Sequence, residues 1–152
     1  MKKEDIKVAV IASKFNREII DNLVEGSRIA LNESGVKEEN IKIFYVPGAF
    51  EIPSLMKKLC RENKDKKVYD GILTIGCVIK GETAHFEYIS SAVSESINRI
   101  AYEYEMPTGF CVLTCYTDEQ AENRCRLNPV NTDTNKGYDA AVAMLEMIDI
   151  LG

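Results

Sequence analysis

The stretch Gly76-Cys77-Val78-Ile79-Lys80-Gly81-Glu82-Thr83-Ala84-His85 gathers the side chains best suited to chemistry. An apolar run ends at Gly81-Glu82-Thr83 and a helical pattern begins directly after it. Backbone amides freed by the glycine turn, the Thr83 hydroxyl and the positive end of the helix then converge on one spot, which suits a phosphate. Taken alone, the same turn also reads as an ordinary capped strand-to-helix connection. Gly76 to Gly81 has the G-x-x-x-x-G spacing of a P-loop, but Glu82 stands where the P-loop lysine must be, which argues against nucleotide hydrolysis. His85, the only histidine, falls in the first turn of the helix, where the dipole disfavours the imidazolium and keeps a neutral base at hand. A lone histidine is more often structural, yet one beside an anion site is a candidate for moving protons.

Further candidates sit in the other turns. Phe15 and Phe50 fall where a ring can face a cleft and stack on a flat heterocycle, although isolated phenylalanines more often belong to a core. Glu51 precedes Ile52-Pro53 at a helix start; it reads either as a cap favoured by the dipole or as an acceptor for polyol hydroxyls. Arg124 is by default a solvated arginine, and only a partner would make it a phosphate clamp.

These positions make sense only with the elements that carry them. β-Branched and aromatic runs alternate with segments of helical period, giving βαβα order. Strands are expected at Lys7 to Ser13, Ile41 to Pro47, Asp70 to Ile79 and Thr108 to Cys115, nearly all apolar, as strands buried on both faces should be. The expected fold is α/β, a three-layer α/β/α sandwich around a four-stranded parallel sheet, as one domain over residues 1–152. In such a sheet ligands bind beyond the carboxyl ends of the strands, where Ser13-Lys14-Phe15-Asn16, Pro47 to Pro53, Gly76 to His85 and Thr114-Cys115-Tyr116-Thr117 lie.

Helices are anchored by caps and spacing. Asn16 is expected to cap a helix carrying Ile20, Leu23, Val24, Ala30 and Leu31 that Gly35 ends. Phe86, Ile89, Val93, Ile97, Ile100 and Tyr104 mark a long amphipathic helix. Thr117 and Gln120 have the capping-box form and start a short helix reaching about Arg126. From Tyr138 to Leu151 the apolar residues fall on more than one face, so one side should meet the sheet and another a neighbouring subunit. Leu127 to Lys136 is the one long loop candidate.

Composition narrows the function. The 152 residues carry 19 Lys and Arg against 24 Asp and Glu, a net charge of −5, with no basic run to meet a nucleic acid backbone. The longest early apolar run, Val8 to Ala12, is too short for a membrane span or a signal segment. The five cysteines include no C-x-x-C pair, and the single histidine removes a Cys/His zinc array. Cys111 and Cys115 share a strand face but lie roughly 13 Å apart, too far for one metal. No metal site and a cytoplasmic location are expected.

Five blocks in order resemble the 6,7-dimethyl-8-ribityllumazine synthase family. They are Lys14-Phe15-Asn16, Val46 to Pro53, Gly76 to Tyr88, Gly109 to Thr114 with Glu119-Gln120-Ala121 and Arg124, and Asn135-Lys136-Gly137. The resemblance implies a flavodoxin-like fold and condensation of 5-amino-6-(D-ribitylamino)uracil with 3,4-dihydroxy-2-butanone 4-phosphate. Phosphate and water are released, without metal or cofactor, to give the direct precursor of riboflavin. It further implies that Phe15 stacks on the pyrimidine, that Ala49, Phe50, Cys77, Val78 and Ile79 hold the uracil edge and ribityl chain through the backbone, and that Glu51 binds ribityl hydroxyls. Glu82 and Thr83 would receive the phosphate, His85 would move protons, and Lys136 matches a family lysine near the ligand. Phe110 and Arg124 would come from the adjacent subunit, the ring on the heterocycle and the guanidinium on the phosphate.

Two departures from the family pattern stand out. The segment from Arg124 to Lys136 is longer than the glycine-rich turn of shell-forming members and lacks the lysine found inside it, with Arg126 nearby. Relatives with a lengthened connection tend to stop at pentamers, so a homopentamer is expected rather than a sixty-subunit shell. Glu82 brings a negative side chain to the phosphate turn and must point to solvent. Among rival readings, the archaeal type of riboflavin synthase has no need of a phosphate site, which Thr83 and Arg124 argue for. A flavin-storing or flavin-sensing protein would have no need of a base beside one.

Overall fold

The computed structural model describes residues 1–152. Four strands, β1 (Val8–Ser13), β2 (Ile41–Val46), β3 (Gly71–Ile79) and β4 (Thr108–Cys115), form one wholly parallel sheet in the order β2-β1-β3-β4. Each lies within one residue of the run expected from sequence. β1 is buried throughout and β3 over its first seven residues, which is the continuous apolar pattern of central strands. The outer strands depart from that expectation. Along β2, Lys42 and Tyr45 are exposed, and along β4, Phe110 and Thr114 are, because a sheet edge leaves part of each strand uncovered.

Helices α1 (Arg17–Glu33) and α5 (Lys136–Leu151) pack on one face, and α2 (Ile52–Asp65) and α3 (His85–Tyr104) on the other. The short α4 (Asp118–Glu122) follows β4. Alternation along each strand divides the core. Val8, Val10, Ala12, Leu73, Ile75, Cys77, Cys111, Leu113 and Cys115 meet α1 and α5. Ala9, Ile11, Ile72 and Val112 meet Ile52, Met56, Val93 and Ile97 on the other side. This is the expected three-layer α/β/α, flavodoxin-like arrangement.

The chain leaves β1 for β2 on one side and later returns to place β3 on the other, so the strand order reverses between β1 and β3. A crevice opens at the carboxyl ends of the strands at such a switch point.

Local signals explain most helix ends. Gly35 takes φ 101° just past α1, a conformation glycine adopts without strain. The Thr117 hydroxyl accepts from the Gln120 N–H at 3.2 Å, and the Gln120 side chain accepts from the Tyr116 N–H at 2.8 Å, closing the capping box around α4. Three expectations are corrected. Asn16 makes no side-chain cap bond; it is left-handed (φ 62°) and its amide reaches Cys77 instead. The helix begun at Thr117 stops at Glu122, because Cys125 pairs with Asn135 in an antiparallel bridge and the chain turns back. The last helix starts two residues early, at Lys136, because Asn135 caps it through bonds from the Gly137 and Tyr138 N–H groups.

Met144, Leu145 and Ile148 of α5 are buried, whereas Val142 and Ile150 remain exposed on its other side. No helix is long and apolar enough to cross a membrane.

Candidate active site

The largest cavity, about 950 Å³, occupies the crevice at the strand exits. Three of the turns singled out by sequence contribute walls, together with one face of α3. β1 contributes Phe15, which is 70% exposed and so presents a free ring to the opening. Its placement is fixed by main-chain bonds from Lys14 N–H to Val46 O (2.8 Å) and Phe15 N–H to Pro47 O (3.3 Å), and by the Asn16 amide donating to Cys77 O at 3.0 Å.

After β2, Pro47 and Gly48 lead into a single 3-10 turn, Ala49–Glu51, that places Ala49, Phe50 and Glu51 on the cavity. Pro53 sits in the first turn of α2, where its missing N–H costs nothing. Glu51 precedes α2 without capping it by its side chain, which leaves the carboxylate available. From β3 come Cys77, Val78 and Ile79, followed by Gly81, Thr83 and His85. The His85 N–H lies 3.4 Å from the Thr83 hydroxyl, and His85 is the first residue of α3, exposed at the helix end. Glu82 is exposed and outside the lining.

The remaining three candidates are elsewhere. Phe110, Arg124 and Lys136 line a separate hollow of about 250 Å³ beside β4, with Asp139 3.7 Å from the Lys136 ammonium. The Arg124 guanidinium donates to Gln120 O at 2.9 Å, which holds its stem against α4, and Phe110 is 49% exposed. Arg126 donates to Asn123 Oδ1 at 2.6 Å. The consequence is electrostatic: the large cleft is lined by one carboxylate, Glu51, and by no lysine or arginine. The basic pair Arg124 and Lys136 belongs to the smaller hollow.

Some wall residues escaped the sequence reading. Tyr88, Ile89 and Ala92 continue the face of α3 that starts at His85, and the three- and four-residue spacing carried that signal. Asp139, one turn beyond Lys136, was legible in the same way.

The cysteines offer no nucleophile. All five are free and buried. Burial, with smaller contributions from the Cys115 and Cys125 thiols and Asp118, pushes the Cys77 thiol up to about 12, and burial pushes Cys111 up further. No group of three or more His, Cys, Asp or Glu side chains is placed to hold a metal ion.

The family model for 6,7-dimethyl-8-ribityllumazine synthase matches residues 5–152. The chain belongs to the lumazine synthase family. It is also 40% identical to the 6,7-dimethyl-8-ribityllumazine synthase of Ruthia magnifica subsp. Calyptogena magnifica over 146 residues, 95% of this chain and 85% of that relative. The lumazine synthase reaction follows from membership: 5-amino-6-(D-ribitylamino)uracil and 3,4-dihydroxy-2-butanone 4-phosphate condense with release of phosphate and water, a transferase step of riboflavin biosynthesis.

Proposed function

We propose that this condensation takes place in a site completed by two copies of the chain, the strand-exit cleft of one and the β4 hollow of the next. One observation carries the proposal. The cleft holds the glycine-threonine turn, the helix end and His85 but no cationic side chain, while Arg124, Lys136 and the Phe110 ring face out from the other hollow. A departing phosphate dianion needs a counter-charge, and a second subunit supplies it.

In this reading Phe15 and the neighbour's Phe110 sandwich the pyrimidine. Backbone groups of Ala49, Phe50, Cys77, Val78 and Ile79 hold its edge and the ribityl chain, whose hydroxyls donate to Glu51. Thr83, the backbone at Glu82 and the neighbour's Arg124 receive the phosphate, with Lys136 alongside. The uracil amine attacks the ketone and water leaves to give an imine. Phosphate is then eliminated, and ring closure with loss of a second water yields the lumazine. His85 carries protons between these steps. Both substrates are intrinsically reactive, so juxtaposition and proton transfer supply most of the acceleration.

The exposed Val142 and Ile150 side of α5 provides apolar surface for a neighbour. The connection from Arg124 to Lys136 stands out from the fold as a pinned loop, with Asn131 Oδ1 accepting from the Asp133 and Thr134 N–H groups. A loop of this length supports closure at a homopentamer rather than a shell.

Complementation tests the shared site. His85→Ala and Arg124→Ala are each expected to be nearly inactive. Dissociating the two and reassembling them together in equal amounts should restore about one quarter of the sites, since each intact site draws one half from each variant. No recovery in assemblies that sedimentation shows to be mixed overturns the two-chain site, and a particle other than five 17.1 kDa chains overturns the pentamer.

A further inference from the structure

The phosphate turn is short, exposed and sparingly bonded. Residues 80–85 are all exposed, and the one side-chain hydrogen bond inside the turn is the long contact between the His85 N–H and the Thr83 hydroxyl. Such a segment holds its amides in line only if both ends are gripped from outside.

Tyr116, at the exit of β4, touches both ends. The Lys80 ammonium sits 5.6 Å from the centre of its ring, at the start of the turn. The Phe86 ring, one residue past His85, lies 6.0 Å away at 44°. Both separations fall in the range where cation–π and aromatic pairs attract. Tyr116 is itself held, since its N–H donates to the Gln120 side chain at 2.8 Å and the main chain beside it is tied by the Lys80 N–H donating to Cys115 O at 2.9 Å. The ring is 65% exposed, so core packing does not explain its position, and its hydroxyl makes no hydrogen bond within the chain. The capping box of α4 thus sets Tyr116, and Tyr116 brackets the turn that carries Glu82, Thr83 and His85.

We propose that Tyr116 is a positioning residue that holds the anion turn between Lys80 and Phe86 in its phosphate-receiving form. The proposal rests on the assignment of that turn to phosphate. Because the ring face does the holding, phenylalanine should serve where alanine and leucine fail.

The test compares steady-state kinetics of Tyr116→Phe, Tyr116→Leu and Tyr116→Ala, with Thr83→Ala as the control for the turn itself. Tyr116→Ala and Tyr116→Leu should raise KM for the phosphorylated ketone by about tenfold while KM for the ribityl-uracil amine stays within about twofold, and Tyr116→Phe should match the parent. Equal rises for both substrates, no rise, or an equal defect in Tyr116→Phe overturns the role of the ring. If Thr83→Ala shows the selective rise and Tyr116→Ala does not, this inference alone fails. If Thr83→Ala leaves the ketone KM unchanged, the phosphate assignment fails and takes this inference with it.

Discussion

The Asn16 side chain donates to the main-chain oxygen of Cys77 at 3.0 Å, joining the exits of β1 and β3 across the switch point. This bond sets the ring of Phe15 relative to the Cys77 to Ile79 edge. Asn16 also occupies a left-handed conformation that asparagine tolerates better than most residues. Asn16→Ala removes the bond and strains the turn, so we expect a loss of about 1–2 kcal/mol in urea unfolding. We also expect a severalfold rise in KM for the ribityl-uracil amine, with little change for the ketone. Asn16→Gly, which relieves the backbone and still lacks the bond, should recover part of the stability but keep the kinetic defect. Parent-like kinetics in both variants would falsify the link.

What could be read from sequence followed the range of the interactions. The strands were legible because buried parallel strands are written as apolar runs, and the α4 capping box because Thr117 and Gln120 are three residues apart. Asn16 was misread as a cap because its true partner is 61 residues away. Asn135 is a favoured cap type with local partners in the Gly137 and Tyr138 N–H groups, whereas its bond to Asn22, 113 residues distant, leaves no mark in the sequence. Nothing in the residue pattern showed that Phe110, Arg124 and Lys136 would sit in a different hollow from His85. The cleft opens at the exits of β1, β2 and β3 while the hollow lies along the edge strand β4, and for Phe110 and Arg124 only the family resemblance anticipated that separation.

Asn135 should be among the least replaceable polar residues. It is fully buried, accepts from the Gly137 and Tyr138 N–H groups, and donates to Asn22 O and Arg126 O, both at 3.1 Å. Asn135→Ala leaves these groups unpaired beside Lys136, so a loss of about 2–4 kcal/mol is expected, readable as a drop of several degrees in Tm. Gly26→Ala should do similar damage from the other side, because its new methyl would meet Asn135 Oδ1 at 2.1 Å. A Tm within one degree of the parent for both would show that this junction is soft.

Alkaline pH should unfold the protein through its thiols. Burial raises Cys77 from 9.0 to about 12 and Cys60 from 9.0 to about 11, so between those values the folded chain keeps protons that the unfolded chain has lost. Stability is then full below pH 9 and declines as pH rises above it, by up to about 1.4 kcal/mol per pH unit for each such thiol. Urea midpoints measured from pH 8 to 10.5 should fall in the parent and less steeply in Cys77→Ala. An unchanged slope in that variant would remove Cys77 from the cause.

His85 should matter to turnover more than to binding. It lines the cleft at the first residue of α3 and makes no side-chain hydrogen bond within the chain, so its removal leaves the walls built by Phe15, Glu51 and Ile79 intact. Under the proposed role, positioning of the two reactive substrates should survive and proton transfer during dehydration and phosphate elimination should be lost. His85→Gln should therefore lower kcat by about a hundredfold, the lower end of the range for a positioned acid or base. The dissociation constant of a non-reacting ribityl-pyrimidine, measured by calorimetry, should stay within about threefold of the parent. A loss of binding as large as the loss of rate would assign the imidazole to holding the substrate, and a parent-like kcat would take it out of the chemistry altogether.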